Sequence, residues 1–159
     1  MSNSETLLPT TVHPGDSSAQ TVRGEKFKGD GYYSRDDGLH TVQIVLTDFV
    51  GVIEIEGTLG VDPEDPFFTN CNDGTDWAPV VIEEATCVLT TGLWSSRKIP
   101  FKLEYSDPTT TVVVYNFIGN YTWLRAYITE WVGGTINSIK MNHWGIRNER
   151  FSISKCRIR

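Results

Sequence analysis

The stretch Thr41-Val42-Gln43-Ile44-Val45-Leu46-Thr47-Asp48-Phe49-Val50-Gly51-Val52-Ile53-Glu54-Ile55-Glu56-Gly57-Thr58-Leu59 decides the fold class. Its apolar residues recur at every second position, the period at which a strand returns a side chain to the same face. Val42, Ile44 and Leu46 share one face. Ile53, Ile55 and Leu59 do the same further on and alternate with Glu54, Glu56 and Thr58, the pattern of a strand with one wet side. Working outward, residues 77–83, 110–117, 121–129 and 135–142 have similar runs, and residues 150–158 read as a last strand. Gly, Pro, Asn and Asp turns separate these runs, and no window of adequate length has the 3.6 period of an amphipathic helix. The expectation is an antiparallel β-sandwich, jelly-roll-like, of about seven or eight strands. Phe117-Ile118-Gly119-Asn120-Tyr121 reads as a tight hairpin, because glycine and asparagine accept positive φ.

The quoted stretch has an echo. Thr47-Asp48-Phe49-Val50-Gly51 is matched by Thr129-Glu130-Trp131-Val132-Gly133, and each precedes a run containing isoleucine. The expected reading is a repeated corner of a pseudo-symmetric sandwich. The aromatic residue plugs one end, and the glycine permits a reversal.

The chain has 159 residues, one domain's worth, with 39% hydrophobic, 11% aromatic and 21% charged residues. A packed core is therefore feasible, and no apolar run is long enough to cross a bilayer. Residues 1–9 lack the basic start and apolar segment of a secretory signal. Cys71, Cys87 and Cys156 are odd in number with no close pair, which argues against a disulfide scaffold or a zinc module. A chain made in a reducing cytoplasm is expected. Residues 1–28 hold few large apolar groups and read as an extended N-terminal arm, either mobile or ordered against a neighbouring subunit. Residues 29–159 form the sandwich domain.

The charge of −6 is unevenly spread. Residues 140–159 carry six basic residues (Lys140, Arg147, Arg150, Lys155, Arg157, Arg159) and one acid, Glu149, a local net charge of +5. The remainder, with eight basic and nineteen acidic residues, stands at −11. Such polarity favours contact with an acidic protein surface or another copy of the chain. It disfavours nucleic acid, because the acidic body repels phosphate at range. Arg147, Arg150, Lys155, Arg157 and Arg159 are the expected partner-binding residues.

Motifs for chemistry are sparse. There is no nucleophile elbow, P-loop, dinucleotide fingerprint, helical zinc motif or EF-hand loop, and neither an enzyme nor a cofactor is expected. His40 and His143 sit at strand ends, where a backbone carbonyl usually satisfies the ring. Asp62, Glu64, Asp65, Asp73 and Asp76 offer oxygen ligands in a loop, but their spacing fits no calcium site. Glu83 and Glu84 are strand neighbours that face opposite ways, so they cannot flank one bond. Cys156 alone has adjacent basic groups, Lys155 and Arg157. Aromatic rings stack on sugars, and Trp77, Trp94, Trp123, Trp131 and Trp144, with Tyr32, Tyr33 and Tyr121, are candidate platforms; Trp94 is the best-exposed of them for a glycan contact, whereas Trp77 and Trp123 sit in registers where core packing is expected.

Four strings carry a resemblance. They are Gly31-Tyr32-Tyr33-Ser34-Arg35-Asp36-Asp37-Gly38-Leu39-His40-Thr41-Val42, Phe49-Val50-Gly51-Val52-Ile53-Glu54-Ile55-Glu56-Gly57-Thr58-Leu59, Asn116-Phe117-Ile118-Gly119-Asn120-Tyr121-Thr122-Trp123-Leu124-Arg125-Ala126 and Gly134-Thr135-Ile136-Asn137-Ser138-Ile139. Over residues 29–143 the chain resembles small single-domain β-sandwich virion structural proteins of contractile-tailed phages of aquatic bacteria. The resemblance implies a virion component made in the host cytoplasm that packs onto the particle. Its partners would be other virion proteins and further copies of itself, with no membrane. Neck, tail or baseplate is the expected location, with head decoration as the alternative and a host-glycan-binding module as a further one.

Overall fold

The apolar stretch changes parity once, and that change shapes the molecule. The core-cluster positions of this stretch are even-numbered at Val42, Ile44 and Leu46, then odd-numbered at Phe49, Ile53 and Ile55. The inserted residue is Asp48, whose φ is 50°. A computed structural model describes residues 4–34, 38–60, 77–88 and 93–143, with 85–88, 93, 94 and 143 described by backbone alone. In it the two expected runs are one strand that bends at a bulge, β5 (Leu39–Thr58). Residues 121–129 and 135–142 are joined in the same way, within β10 (Trp123–His143), and Glu130 has the same φ of 50°. The repeated corner is therefore a repeated bend. The chain does not reverse there, because a bulge turns the strand while keeping its apolar side inward; it is one residue in β5, whereas in β10 the four steps from Thr129 to Gly133 pass two of β5.

Around β5 and β10 runs one bent antiparallel sheet. The two strands pair from His40–Leu46 against His143–Ile136 and again from Val50–Thr58 against Gly133–Trp123. On the other flank of β5 lies β9 (Lys102–Ile118), paired from Leu39 to Glu54. The short β6 (Ala78–Pro79) takes over at Glu56 and Gly57. On the far flank of β10 the N-terminal strands follow one another: β1 (Ser4–Leu8), β2 (Thr11–Val12), β3 (Gln20–Arg23) and β4 (Phe27–Lys28). A 3₁₀ turn (Asp30–Tyr33) follows. A separate hairpin, β7 (Val81–Val88) with β8 (Leu93–Pro100), leaves the sheet between Val80 and Phe101.

Residues 4–28 are thus not a free arm. They form the outer rail of the chain's own sheet. Leu7 and Leu8 are buried, the His13 N–H donates to the Gly134 carbonyl at 3.1 Å, and the Gly24 N–H donates to Ala126 at 2.8 Å. The edge of β10 supplies the hydrogen bonds and two leucines supply the burial that the segment's composition understates.

The bend creates two arms that share one core. Val42, Ile44 and Leu46 of the first arm and Ile53, Ile55, Leu124 and Ile128 of the second belong to one buried cluster. Phe49 and Trp131 stack at the bend with ring centroids 6.3 Å apart, and His13 meets the Trp131 ring edge-on at 5.1 Å. At the opposite end residues 119–122 carry the chain from β9 to β10. The Gly119 N–H donates to Gly38 and the Thr122 N–H to Thr58, at 2.9 and 2.8 Å. This connection is not the expected hairpin, since β9 and β10 flank β5 rather than each other. Neither Gly119 nor Asn120 has positive φ. Gly119 is needed for space, because a Cβ there, or at Gly57, would collide with the Tyr121 ring. The all-β, sandwich-like class read from the sequence is what the chain adopts.

Candidate functional site

Two buried polar nodes hold the frame. His40 is fully buried at the start of β5; its Nδ1 donates to the Gly38 carbonyl at 2.8 Å, and its Nε2 accepts the Asp30 N–H at 3.3 Å. The ring stacks on Phe117 at 5.0 Å. Both nitrogens are engaged with backbone, as expected of a strand-end histidine. In the second arm the Arg125 Nε donates to the Glu56 carboxylate at 2.7 Å, and both residues are buried. The Arg125 guanidinium lies 4.3 Å from the centre of the Trp77 ring. A charge pair this far from water persists because each partner satisfies the other.

The residues singled out from the sequence are dispersed. Glu83 and Glu84 pair in register with Lys98 and Arg97 across the β7–β8 hairpin, and Arg97 approaches Glu84 at 3.6 Å on the exposed surface. Trp94 is opposite Cys87 in that hairpin, with its side chain outside the described residues. Arg147, Arg150, Lys155, Arg157 and Arg159 lie outside them altogether, as do Asp62, Glu64, Asp65, Asp73, Asp76, Cys71 and Cys156. Among the described residues no group of three His, Cys, Asp or Glu is placed to hold a metal ion.

Two surfaces stand out instead. The first is the outer face of the second arm. There Trp123, Arg125 and Tyr127 alternate along β10, as period two requires. The Lys26 ammonium lies 5.1 Å from the Trp123 ring centre, the Arg23 guanidinium 5.1 Å from Tyr127, and the Lys28 ammonium 4.2 Å from Tyr32. Tyr32 also meets Trp123 and Tyr33 edge to face, at 5.2 and 5.3 Å. Tyr32 and Tyr33 are 41% and 44% exposed, so this aromatic cluster reaches the surface. The second is the outward row of β9 in the first arm. Val112 and Val114 are each 57% exposed and Ile118 is 71% exposed, while Tyr115 and Val113 pack against the core.

Comparison of the chain with models of protein families, with curated proteins and with solved structures finds no match.

Chemically, the two surfaces are suited to contact. One offers π faces with cations beside them, and the other an uncharged strand edge with apolar side chains pointing outward. Sequence reading passes over the second and, of the first, names only the rings of Tyr32, Tyr33 and Trp123 among the sugar-stacking candidates. The signal for the second was present: in Val112-Val113-Val114 a strand must turn either one valine or two to the outside. The cations of the first are hidden because Lys26 and Lys28 belong to the segment read as an arm.

Proposed function

We propose that the chain is a structural component of a tailed-phage virion, an accessory protein of the neck, tail or baseplate, with decoration of the head as the alternative. The observation that carries this is where the resembling strings fall. They supply the 3₁₀ turn, the start of β5, its bend and second half, the Tyr121 connection, and the β10 run after its bend. The strings that carry the resemblance are therefore the ones that build this frame. A frame pinned by Phe49 and Trp131 at one end and by Tyr121 at the other suits a load-bearing block. Because residues 4–28 are taken up by the chain's own sheet, docking falls to the sandwich surface, with other virion proteins and further copies of the chain as partners.

The test is mass spectrometry and immunogold labelling of purified particles of the phage that encodes the chain. Recovery at a fixed ratio to the major structural proteins, with label on neck, tail or baseplate, is the expected result. Label over the head selects the alternative, and absence from particles overturns the proposal.

A glycan-binding reading is favoured by one observation, the surface cluster of Tyr32, Tyr33 and Trp123 beside Lys26 and Lys28. Titration with host-envelope oligosaccharides, followed by tryptophan fluorescence, tests it. A saturable change in the native protein that Tyr32→Ala removes supports the reading, and a flat titration removes it.

A further inference from the structure

β9 is the outer rail of the first arm. Its residues from Thr111 to Ile118 pair with β5, and among the described residues no strand pairs with its other edge. From Thr109 to Ile118 the strand reads TTTVVVYNFI, without a charge or a proline, in a chain whose net charge is −6. Sheet edges are normally blunted by lysine, proline or a bulge. Here those devices stand at or before the bend: Lys102 opens the strand, and Asp107 and Pro108 fall in the register shift between Tyr105 and Thr109. Beyond it, a run of backbone N–H and C=O groups faces outward, flanked by Val112 and Val114.

We propose that β9 pairs edge to edge with β9 of a second copy, antiparallel about a two-fold axis at Val112. The register is self-complementary. Val112 meets Val112, Thr111 meets Val113, Thr110 meets Val114 and Thr109 meets Tyr115, so β-branched residues dominate the cross-strand pairs and no charge meets a charge. A partner strand bearing charges would leave them against valine and threonine. A second copy brings none, and an isologous two-fold contact closes after two chains. The end of β9 at Asn116–Ile118 stays out of the pairing, because β7 approaches it there across a groove of about 430 Å³ lined by Val81, Ile82 and Glu83. This inference stands on the strand alone and not on the virion reading.

Sedimentation of the full chain across micromolar concentrations tests the pairing. The native protein is expected to form a dimer. Because the copies carry like net charge, added salt should strengthen it, the opposite of an ion-paired contact. Val112→Arg sets two like charges face to face at the axis and should raise the dissociation constant about tenfold or more. Far-UV circular dichroism should stay unchanged, since Val112 is exposed. In a chain also carrying Cys71→Ser, Cys87→Ser and Cys156→Ser, Val112→Cys should give a covalent dimer under mild oxidation. A monomer at every concentration, or a dimer that ignores Val112→Arg and is not trapped by Val112→Cys, overturns the proposal.

Discussion

The bends in β5 and β10 use nearly the same five residues and are built differently. Each has an acidic residue at φ 50°, then a buried aromatic: Asp48 and Phe49 in one, Glu130 and Trp131 in the other. The sequence echo aligns Gly51 with Gly133, but the structural counterpart of Gly51 is Gly134. A Cβ on Gly51 would sit 2.9 Å from the Trp131 Cα, and a Cβ on Gly134 would collide with the Asp48 carbonyl oxygen, whereas Gly133 has nothing within 4 Å. Each bend therefore presses a glycine against the backbone of the other. The lesson is that matching residues mark where a sheet folds, while contacts across the fold decide which glycine is indispensable.

The largest effect should come from the stacked pair. Phe49→Ala and Trp131→Ala are each expected to cost about 3–5 kcal/mol in urea unfolding, since both leave a cavity at the bend. Trp131→Ala should be the worse, because it also exposes His13 and removes the bond from its indole N–H to the Gly133 carbonyl, 2.8 Å. The double variant should fall short of additivity by about 0.5–1.5 kcal/mol, the range measured for aromatic pairs. Full additivity would mean that the two bends are independent.

Next comes the glycine comparison. Gly134→Ala combines a side chain at φ +84° with a clash against rigid backbone, and should cost about 2–4 kcal/mol. Gly133→Ala, one residue earlier in open space, should change stability by less than about 0.5 kcal/mol. Equal effects would break the assignment of Gly134 as the partner of Gly51.

Legibility followed the same line. Period two in residues 41–59 was enough for the all-β class, and the echo was enough to locate both bends. What remained hidden was continuity. A bulge and a loop look alike in sequence, and only the parity switch from Leu46 to Phe49 distinguishes a strand that continues from one that ends. Residues 4–28 were misread because backbone pairing leaves little trace in composition. Leu7 and Leu8 were the only large aliphatic pair there, and both are in the core. Of the surfaces, the valine run of β9 was readable, whereas the Tyr32 cluster depends on Trp123 arriving from β10, far along the chain from Lys26, Lys28 and Tyr32.

A smaller effect sharpens the comparison of the two acids. Positive φ is tolerated better by aspartate than by glutamate, and the Asp48 side chain is further held by the Thr110 hydroxyl, which donates to its Oδ1 at 3.3 Å. Replacing a strained residue by glycine relieves the Cβ clash at the expense of a more flexible unfolded chain. Glu130→Gly should therefore stabilise by about 0.5–1 kcal/mol, and Asp48→Gly should be neutral or slightly destabilising. Thermal melts of the two variants side by side decide it, and a larger gain at Asp48 reverses the ranking.

The smallest effect separates the arms beyond the bends. On the outer face of β5 the first arm carries Thr41, Gln43 and Val45, while the second carries Glu54 and Glu56. Burial first, and then the charge of Glu56, raises the pKa of Glu54 above its ordinary value of 4.5, with Lys102 opposing. Between the ordinary and the raised value the folded chain holds more proton than the unfolded one, so this group's contribution to stability falls as pH rises through that window. At neutral pH the ionised Glu54 is a small cost. Glu54→Gln should accordingly melt slightly higher than the native chain at pH 7, a small effect because solvent screens the part-exposed carboxylate. The gain should fade as pH falls through 4.5 and vanish well below it, where the native carboxyl is protonated in both states. Gln43→Glu in the other arm provides the control: Lys140 is its register partner on β10, with no acid beside it like Glu56, so the new carboxylate should show no such rise. A gain for Glu54→Gln that persists at low pH would mean that packing, not charge, sets the difference between the arms.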